Sequence, residues 1–214
     1  MKQILVYADS LSWGIIPNSR NRFDFHQRWP GKLEQLLSKE SKSIRVIEDC
    51  LNGRRTVLDD PFKPGRNGLK GLQQRIEINS PLALVIIMLG NNDFQSSHNF
   101  KAAEAAQGVA ALIPIVRKAP IEPGMPMPEI LLISPPPITC PKGAIAAKFK
   151  GAELKWPGFN KELARVASEN RCYFFDAGTV INASRVDGIH LDLEQHQQLA
   201  ISIKQQVIDI FSAN

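Results

Sequence analysis

Runs of consecutive apolar residues alternate along this chain with stretches where apolar residues recur every three or four positions, the spacing of one helix face. Residues 4–7 predict a first strand. Residues 29–37, with Trp29, Leu33, Leu36 and Leu37 apolar, predict a helix, and 44–47 a second strand. The polar segment 52–68, rich in Gly, Arg, Asp and Pro, reads as a loop, and 69–78 as a weaker helix. The run 82–89 (LALVIIML) is apolar throughout, as a strand buried on both faces should be. Residues 102–116 read as helical, with Pro114 kinking or ending the helix. A stiff loop follows over 119–128, with four prolines and one glycine, then a strand over 130–134 that Pro135-Pro136-Pro137 stops. Residues 144–167 are part helix and part loop, broken at Pro157-Gly158, and 172–175 predict a fifth strand. The last helix, 193–211, aligns Leu199, Ile203, Val207 and Ile210 on one face, and Asp192 with Gln195 has the spacing of a capping box. This alternation predicts a single doubly wound α/β domain over 1–214: a parallel five-stranded sheet flanked by helices.

Composition narrows the class. The 214 residues suffice for a full core without staples. Hydrophobic residues at 43% and charged residues at 22% exclude wholesale disorder. The net charge of +5 comes with no dense basic run or RNP-like aromatic pattern, so no nucleic-acid partner is expected. Cys50, Cys140 and Cys172 are an odd set at wide spacing, without a CxxC pair, which fits a reducing compartment. The N-terminal apolar run is too short for a signal peptide, and no stretch approaches the ~20 apolar residues of a spanning helix. A cytoplasmic protein without a membrane span is expected. His26, His98, His190 and His196 lack metal-ligand spacing, and neither GxGxxG nor a P-loop is present. No metal or cofactor is expected.

In open parallel sheets, ligands sit beyond the carboxyl ends of the strands. Four strand exits carry chemistry here: Asp9-Ser10-Leu11-Ser12-Trp13-Gly14, Asn52-Gly53-Arg54-Arg55, Gly90-Asn91-Asn92-Asp93 and Asp187-Gly188-Ile189-His190. A serine hydroxyl needs a base to take its proton, and an imidazole needs an acid to hold its tautomer. Ser10 is the candidate nucleophile, His190 the base and Asp187 its orienting acid. A tetrahedral oxyanion needs preorganised donors. The candidates are the Ser10 and Gly53 backbone N–H groups and the Asn92 side chain, with Asn91 the alternative amide. Glycine at 53 would let the N–H approach closely with no Cβ in the way.

These four blocks, in this order, resemble those of the SGNH hydrolases, also called the GDSL family of esterases and lipases. Val46-Ile47-Glu48, Asp59-Asp60-Pro61, residues 85–90, Ser134-Pro135-Pro136-Pro137 and Phe175-Asp176-Ala177-Gly178 are similar to its bacterial arylesterase/acyltransferase branch. The resemblance implies a flavodoxin-like fold and hydrolysis of short-chain acyl esters, including aryl acetates, through an acyl-serine. It also implies acyl transfer to alcohols in some members, homo-oligomers and no metal. Carbohydrate acetylesterase and thioesterase or lysophospholipase activities are the alternatives on the same machinery. Two departures stand out: Ala8 replaces the glycine that opens the GDSL motif, and Arg54-Arg55 replaces a single Arg followed by Thr.

Plainer roles compete at several positions. Asp9 reads as a brace for the turn it opens, and Asp93 as a brace or cap. Trp13 is read as a wall of a small acyl pocket. Trp29 reads as packing, as does Trp156, with the alcohol side of the site as the latter's alternative. His196 reads as a packing or supporting residue. The Arg54-Arg55 pair reads as a solvated loop, with steering of an anionic substrate as its alternative. The apolar residues Ile121, Met125 and Met127 of the proline-rich loop suggest self-association.

Overall fold

In the computed structural model, which describes residues 1–40 and 43–213, five parallel strands form one sheet in the order β2-β1-β3-β4-β5. They are β1 (Lys2–Ala8), β2 (Ile44–Cys50), β3 (Leu84–Met88), β4 (Glu129–Ser134) and β5 (Tyr173–Asp176). Every residue of β3 is buried, the reason its sequence lacks polar alternation. The register runs Ile4↔Leu84 to Ala8↔Met88 between β1 and β3, so the two central strands end side by side.

Among the described residues, eight α-helices connect and cover the sheet: α1 (Ser10–Trp13), α2 (Trp29–Glu40), α3 (Leu72–Asn79), α4 (Ala102–Ala110), α5 (Ile113–Arg117), α6 (Ala152–Lys155), α7 (Phe159–Glu169) and α8 (Leu193–Ser212). The order reverses at β1: the chain steps outward to β2, then crosses back to β3. With right-handed crossovers, that reversal places α2 on one face and the helices that connect β2 through to β5 on the other, while α8, which follows β5, is free to return to the α2 face. In agreement, α2 packs on α8, while α4 packs on α7 and α3 on α5. The crevice between the ends of β1 and β3 is the switch point where such sheets bind ligands.

Two sequence expectations are corrected. The stretch 102–116 is two helices, because Pro114 sits in the first turn of α5, where its missing N–H costs nothing. The segment after β1 is the single helical turn α1, with Asp9 at its N-cap accepting from the Leu11 N–H at 3.0 Å, the brace that the sequence suggested. Asp192 and Gln195 do not make a capping box. The Asp192 carboxylate accepts instead from Ser184 Oγ (2.8 Å), and Gln195 Oε1 from the Asn182 N–H (2.9 Å), so both tie the preceding loop to the start of α8.

The loop after β2 departs most from expectation. Arg54 and Arg55 are not solvated; they are buried and are the internal frame of that loop. The Arg54 guanidinium lies 3.8 Å over the Tyr7 ring, donates to the Ala8 carbonyl at 3.0 Å and pairs with Asp49 at 2.6 Å. Arg55 pairs with Asp60 at 3.2 Å and donates to the Asp59 carbonyl at 2.9 Å. A polar loop of this length can lie against the sheet edge only if its buried backbone carbonyls find donors. Arg55, at the Asp59 carbonyl, and the Tyr7 hydroxyl, bonded to the Gly68 carbonyl at 2.7 Å, supply donors to the loop, while Arg54 ties it to the ends of β1 and β2.

Candidate active site

A cavity of about 300 Å³ opens at the carboxyl edge of the sheet. Ser10, Trp13, Gly53, Asn92, Asp187 and His190 all line it, so the fold gathers the candidate nucleophile, base, acid, oxyanion donors and pocket wall at one place. Asn91 does not line it. It sits in the core, where its side-chain carbonyl accepts from Trp156 Nε1 at 3.2 Å, so Asn92 rather than Asn91 presents an amide to the cavity and Trp156 is a core residue.

Asp187 and His190 lie in a tight turn just before α8. Gly188, between them, has φ +78°, and a Cβ there would come within 2.4 Å of the Cys140 carbonyl oxygen, so only glycine fits. The turn is closed by Asp187 itself: Oδ1 accepts from the Ile189 N–H (3.0 Å) and the His190 N–H (2.9 Å). Oδ2 meets His190 Nδ1 at 2.6 Å and accepts from the Asn18 N–H at 3.1 Å. A carboxylate accepts, so Nδ1 carries the ring proton and Nε2 keeps a free lone pair. Burial pushes the Asp187 carboxyl up, but these hydrogen bonds outweigh it and hold the group down at about 2. The acid is therefore charged at every pH where the imidazole can act as a base.

Ser10 is the first residue of α1, and its N–H is one of the orphan donors of a helix start. Among the described residues, neither the Ser10 N–H nor the Gly53 N–H meets a protein acceptor. Gly53 has φ +81°, a backbone conformation that itself calls for glycine, and among the described residues a Cβ there would meet only Lys148 Nζ, at 3.9 Å. Asn92 lies in a 3₁₀ turn (Asn91–Phe94) directly after β3. Its Nδ2 donates to Asp9 Oδ2 at 2.9 Å, and its Oδ1 accepts from Gln95 Nε2 at 2.6 Å. One Nδ2 hydrogen remains for the cavity.

Two further carboxylates brace this floor. Burial raises Asp9 to about 6 against its bonds from Leu11 and Asn92. Burial likewise raises Asp93 to about 7, although it accepts from both the N–H and the hydroxyl of Thr56. Both act as braces, as the sequence suggested. Trp13 forms part of the wall, held from outside by the Arg22 guanidinium 4.6 Å from its ring. Sequence reasoning missed Asn18, Arg20, Lys63 and Lys148, which also line the cavity. They come from loops with no local pattern; only the fold brings Asn18 to Asp187 across 169 positions.

A hydroxyl, an imidazole oriented by a carboxylate and unspent N–H donors, converging on one cavity, can carry out acyl transfer. Among the described residues no group of three or more His, Cys, Asp or Glu could hold a metal ion, and no helix is long and apolar enough to cross a membrane.

The family model of GDSL-like lipase/acylhydrolases matches residues 9–198. The native aryl esterase of M. smegmatis is 34% identical, with 98% of this chain and 100% of that one covered and a TM-score of 0.92. A carbohydrate acetylesterase family member from Sinorhizobium meliloti is 32% identical over 99% of this chain and 100% of its own, with TM-score 0.92. Est24, a carbohydrate acetylesterase from the same organism, is 32% identical over 98% and 100%, with TM-score 0.91. No curated protein sequence matches significantly.

Proposed function

The chain belongs to the GDSL-like lipase/acylhydrolase family and is a carboxylic ester hydrolase, and on that premise we propose that it cleaves short-chain acyl esters through an acyl-Ser10 intermediate. The Ser10 hydroxyl attacks the ester carbonyl and passes its proton to His190 Nε2. Asp187 holds the imidazole in the required tautomer and stabilises the imidazolium that forms. The Ser10 N–H, the Gly53 N–H and the free Asn92 Nδ2 hydrogen receive the oxyanion. His190 protonates the leaving alkoxide, and water, deprotonated in turn by His190, frees the acid. An alcohol in place of that water gives acyl transfer.

The observation that carries this reading is the 2.6 Å Asp187–His190 pair in the wall of the cavity that Ser10 lines, with Nε2 unspent. The indole of Trp13 in the same wall favours small acyl groups. The test is hydrolysis of p-nitrophenyl esters of increasing chain length, with a serine-directed fluorophosphonate. Rapid acetate turnover, its loss on labelling and added mass at Ser10 support the reading. Turnover that survives in Ser10→Ala overturns it.

Carbohydrate acetylesterase activity is the second reading. The polar cavity rim, with Asn18, Ser19, Asn52 and Lys148, favours it, as do the Sinorhizobium meliloti neighbours. Acetate release from acetylated sugars, compared with p-nitrophenyl acetate, separates the two. Self-association and a cytoplasmic location remain part of the proposal. Met127 of the proline-rich loop is 45% exposed, and light scattering tests whether the chain assembles.

A further inference from the structure

Behind the cavity, four buried side chains form a single hydrogen-bonded file, of which the ester-hydrolase reading uses only Asn92. Arg55 Nη2 donates to Gln95 Oε1 at 2.6 Å, Gln95 Nε2 donates to Asn92 Oδ1 at 2.6 Å, and Asn92 Nδ2 donates to Asp9 Oδ2 at 2.9 Å. Each of the four is 3% exposed or less, which leaves little room for water to substitute for a lost partner. Arg55 is anchored in turn by Asp60 and by the Asp59 carbonyl.

The file has a direction. A guanidinium only donates, so the Gln95 atom beside it must be the oxygen. That turns the Gln95 NH₂ toward Asn92, where it must meet the carbonyl oxygen. An ionised carboxylate only accepts, so the other end of the Asn92 amide presents nitrogen to Asp9. We propose that Gln95, backed by Arg55, is a positioning residue that fixes the plane and the direction of the Asn92 carboxamide and so keeps an N–H, rather than a carbonyl, facing the reacting ester. Asp9 by itself does not achieve this. It accepts from either hydrogen of Nδ2 and leaves the amide plane free to swing about that contact. The Gln95 bond to Oδ1 pins the plane and holds the carbonyl away from the place where negative charge develops. A carbonyl turned toward an oxyanion would repel it, so the cost of losing the tether falls on the transition state.

The inference rests on the proposed role of Asn92 as an oxyanion donor, so that role is measured first with p-nitrophenyl acetate. Asn92→Ala should lower kcat by about 10²- to 10³-fold. Gln95→Met, of similar volume but without either polar contact, should lower kcat by about 10- to 100-fold with KM little changed, because the lost interaction exists only in the transition state. Added to Asn92→Ala, Gln95→Met should cause no further loss, since a positioning residue acts only through the group it positions. Gln95→Glu keeps an acceptor for Arg55 but has no proton for Asn92 until its carboxyl is protonated. Its kcat relative to the parent enzyme should therefore rise as pH falls, a profile that generalised loosening would not produce. It also replaces Gln95→Met should that variant not fold.

Full activity in a folded Gln95→Met enzyme overturns the inference. So does a loss that persists undiminished in the Asn92→Ala background, which would mark Gln95 as merely structural. An Asn92→Ala enzyme with unchanged kcat removes the donor itself, and that failure is visible at Asn92 independently of Gln95.

Discussion

His190 and His196 stand six positions apart and are both buried, at 5% and 0% exposure, yet their surroundings assign them opposite chemistry. His190 has Asp187 2.6 Å from Nδ1, and its ring opens on the cavity. Among the described residues, His196 has no carboxylate partner. Its Nδ1 accepts from the Trp29 N–H at 3.3 Å, its ring meets Phe23 edge-on with centroids 5.4 Å apart, and Nε2 has no hydrogen-bond partner among the described residues. Burial pushes His196 down to about 3, helped by the nearby charges of Arg28 and His190. Burial alone makes a histidine inert by denying it a charge. A fixed carboxylate on one nitrogen, with the other left free at a cavity, makes it a base.

The largest effect that could break this contrast lies at the proposed nucleophile and base. Ser10→Ala and His190→Gln should each lower kcat by about 10⁵- to 10⁶-fold, and about equally, because each acts only through the other. Burst kinetics with p-nitrophenyl acetate would show no acyl-enzyme in either. Next, Asp187→Asn should cost about 10³- to 10⁴-fold in kcat, because an amide can present its NH₂ to Nδ1 and stabilise the wrong tautomer. If His190 proved as active without its acid, burial rather than the carboxylate would be its controlling feature.

A smaller effect, on stability rather than turnover, separates the two rings by pH. The folded value of His196 is depressed, so folding favours its neutral form. That contribution is fully present above the unfolded value of about 6.5 and is lost as pH falls toward about 3. It amounts to a few kcal/mol, on the order of 5 at most. His196→Gln can keep an acceptor for Trp29 but has nothing to titrate. Its melting temperature should fall less steeply in acid than that of the parent between about pH 6.5 and pH 3, while its kcat at neutral pH stays close to the parent's. The depressed carboxyl of Asp187 adds a second, more acidic loss. Its contribution is present above about pH 4 and disappears as pH falls through about 2. Asp187→Asn should remove that lower step alone, and an unchanged acid limb in this variant would show that the acid is not held by its hydrogen bonds.

What could be read in advance follows from how local each signal is. Ser10, Asn92, Asp187 and His190 each leave a strand or close a turn within a short polar block, and the sheet's parallel order sends those blocks to one edge. Arg54 and Arg55 were misread for the opposite reason. A charge pair in a polar loop is usually solvated, and only the arrival of Tyr7, Asp49, Asp60 and Gln95 from other segments makes burial tolerable. The two residues of the 52–68 loop that carry most positive charge toward the interior therefore serve its framework, while Arg20, Lys63 and Lys148, which drew no notice in the sequence, line the cavity instead.

The sequence by itself determined the α/β architecture, the number of strands, the four chemical blocks and the family, because hydrophobic period and short motifs are local properties that survive in one dimension. The tertiary structure alone decided which amide faces the cavity, that Gly53 sits at a positive backbone φ, which buried histidine has a carboxylate, and that a file of side chains drawn from three segments stands behind Asn92. Those are matters of direction and distance between residues far apart in the chain. Hydrogen-bond partners chosen across 37 to 83 positions leave no periodic trace in the residues between them.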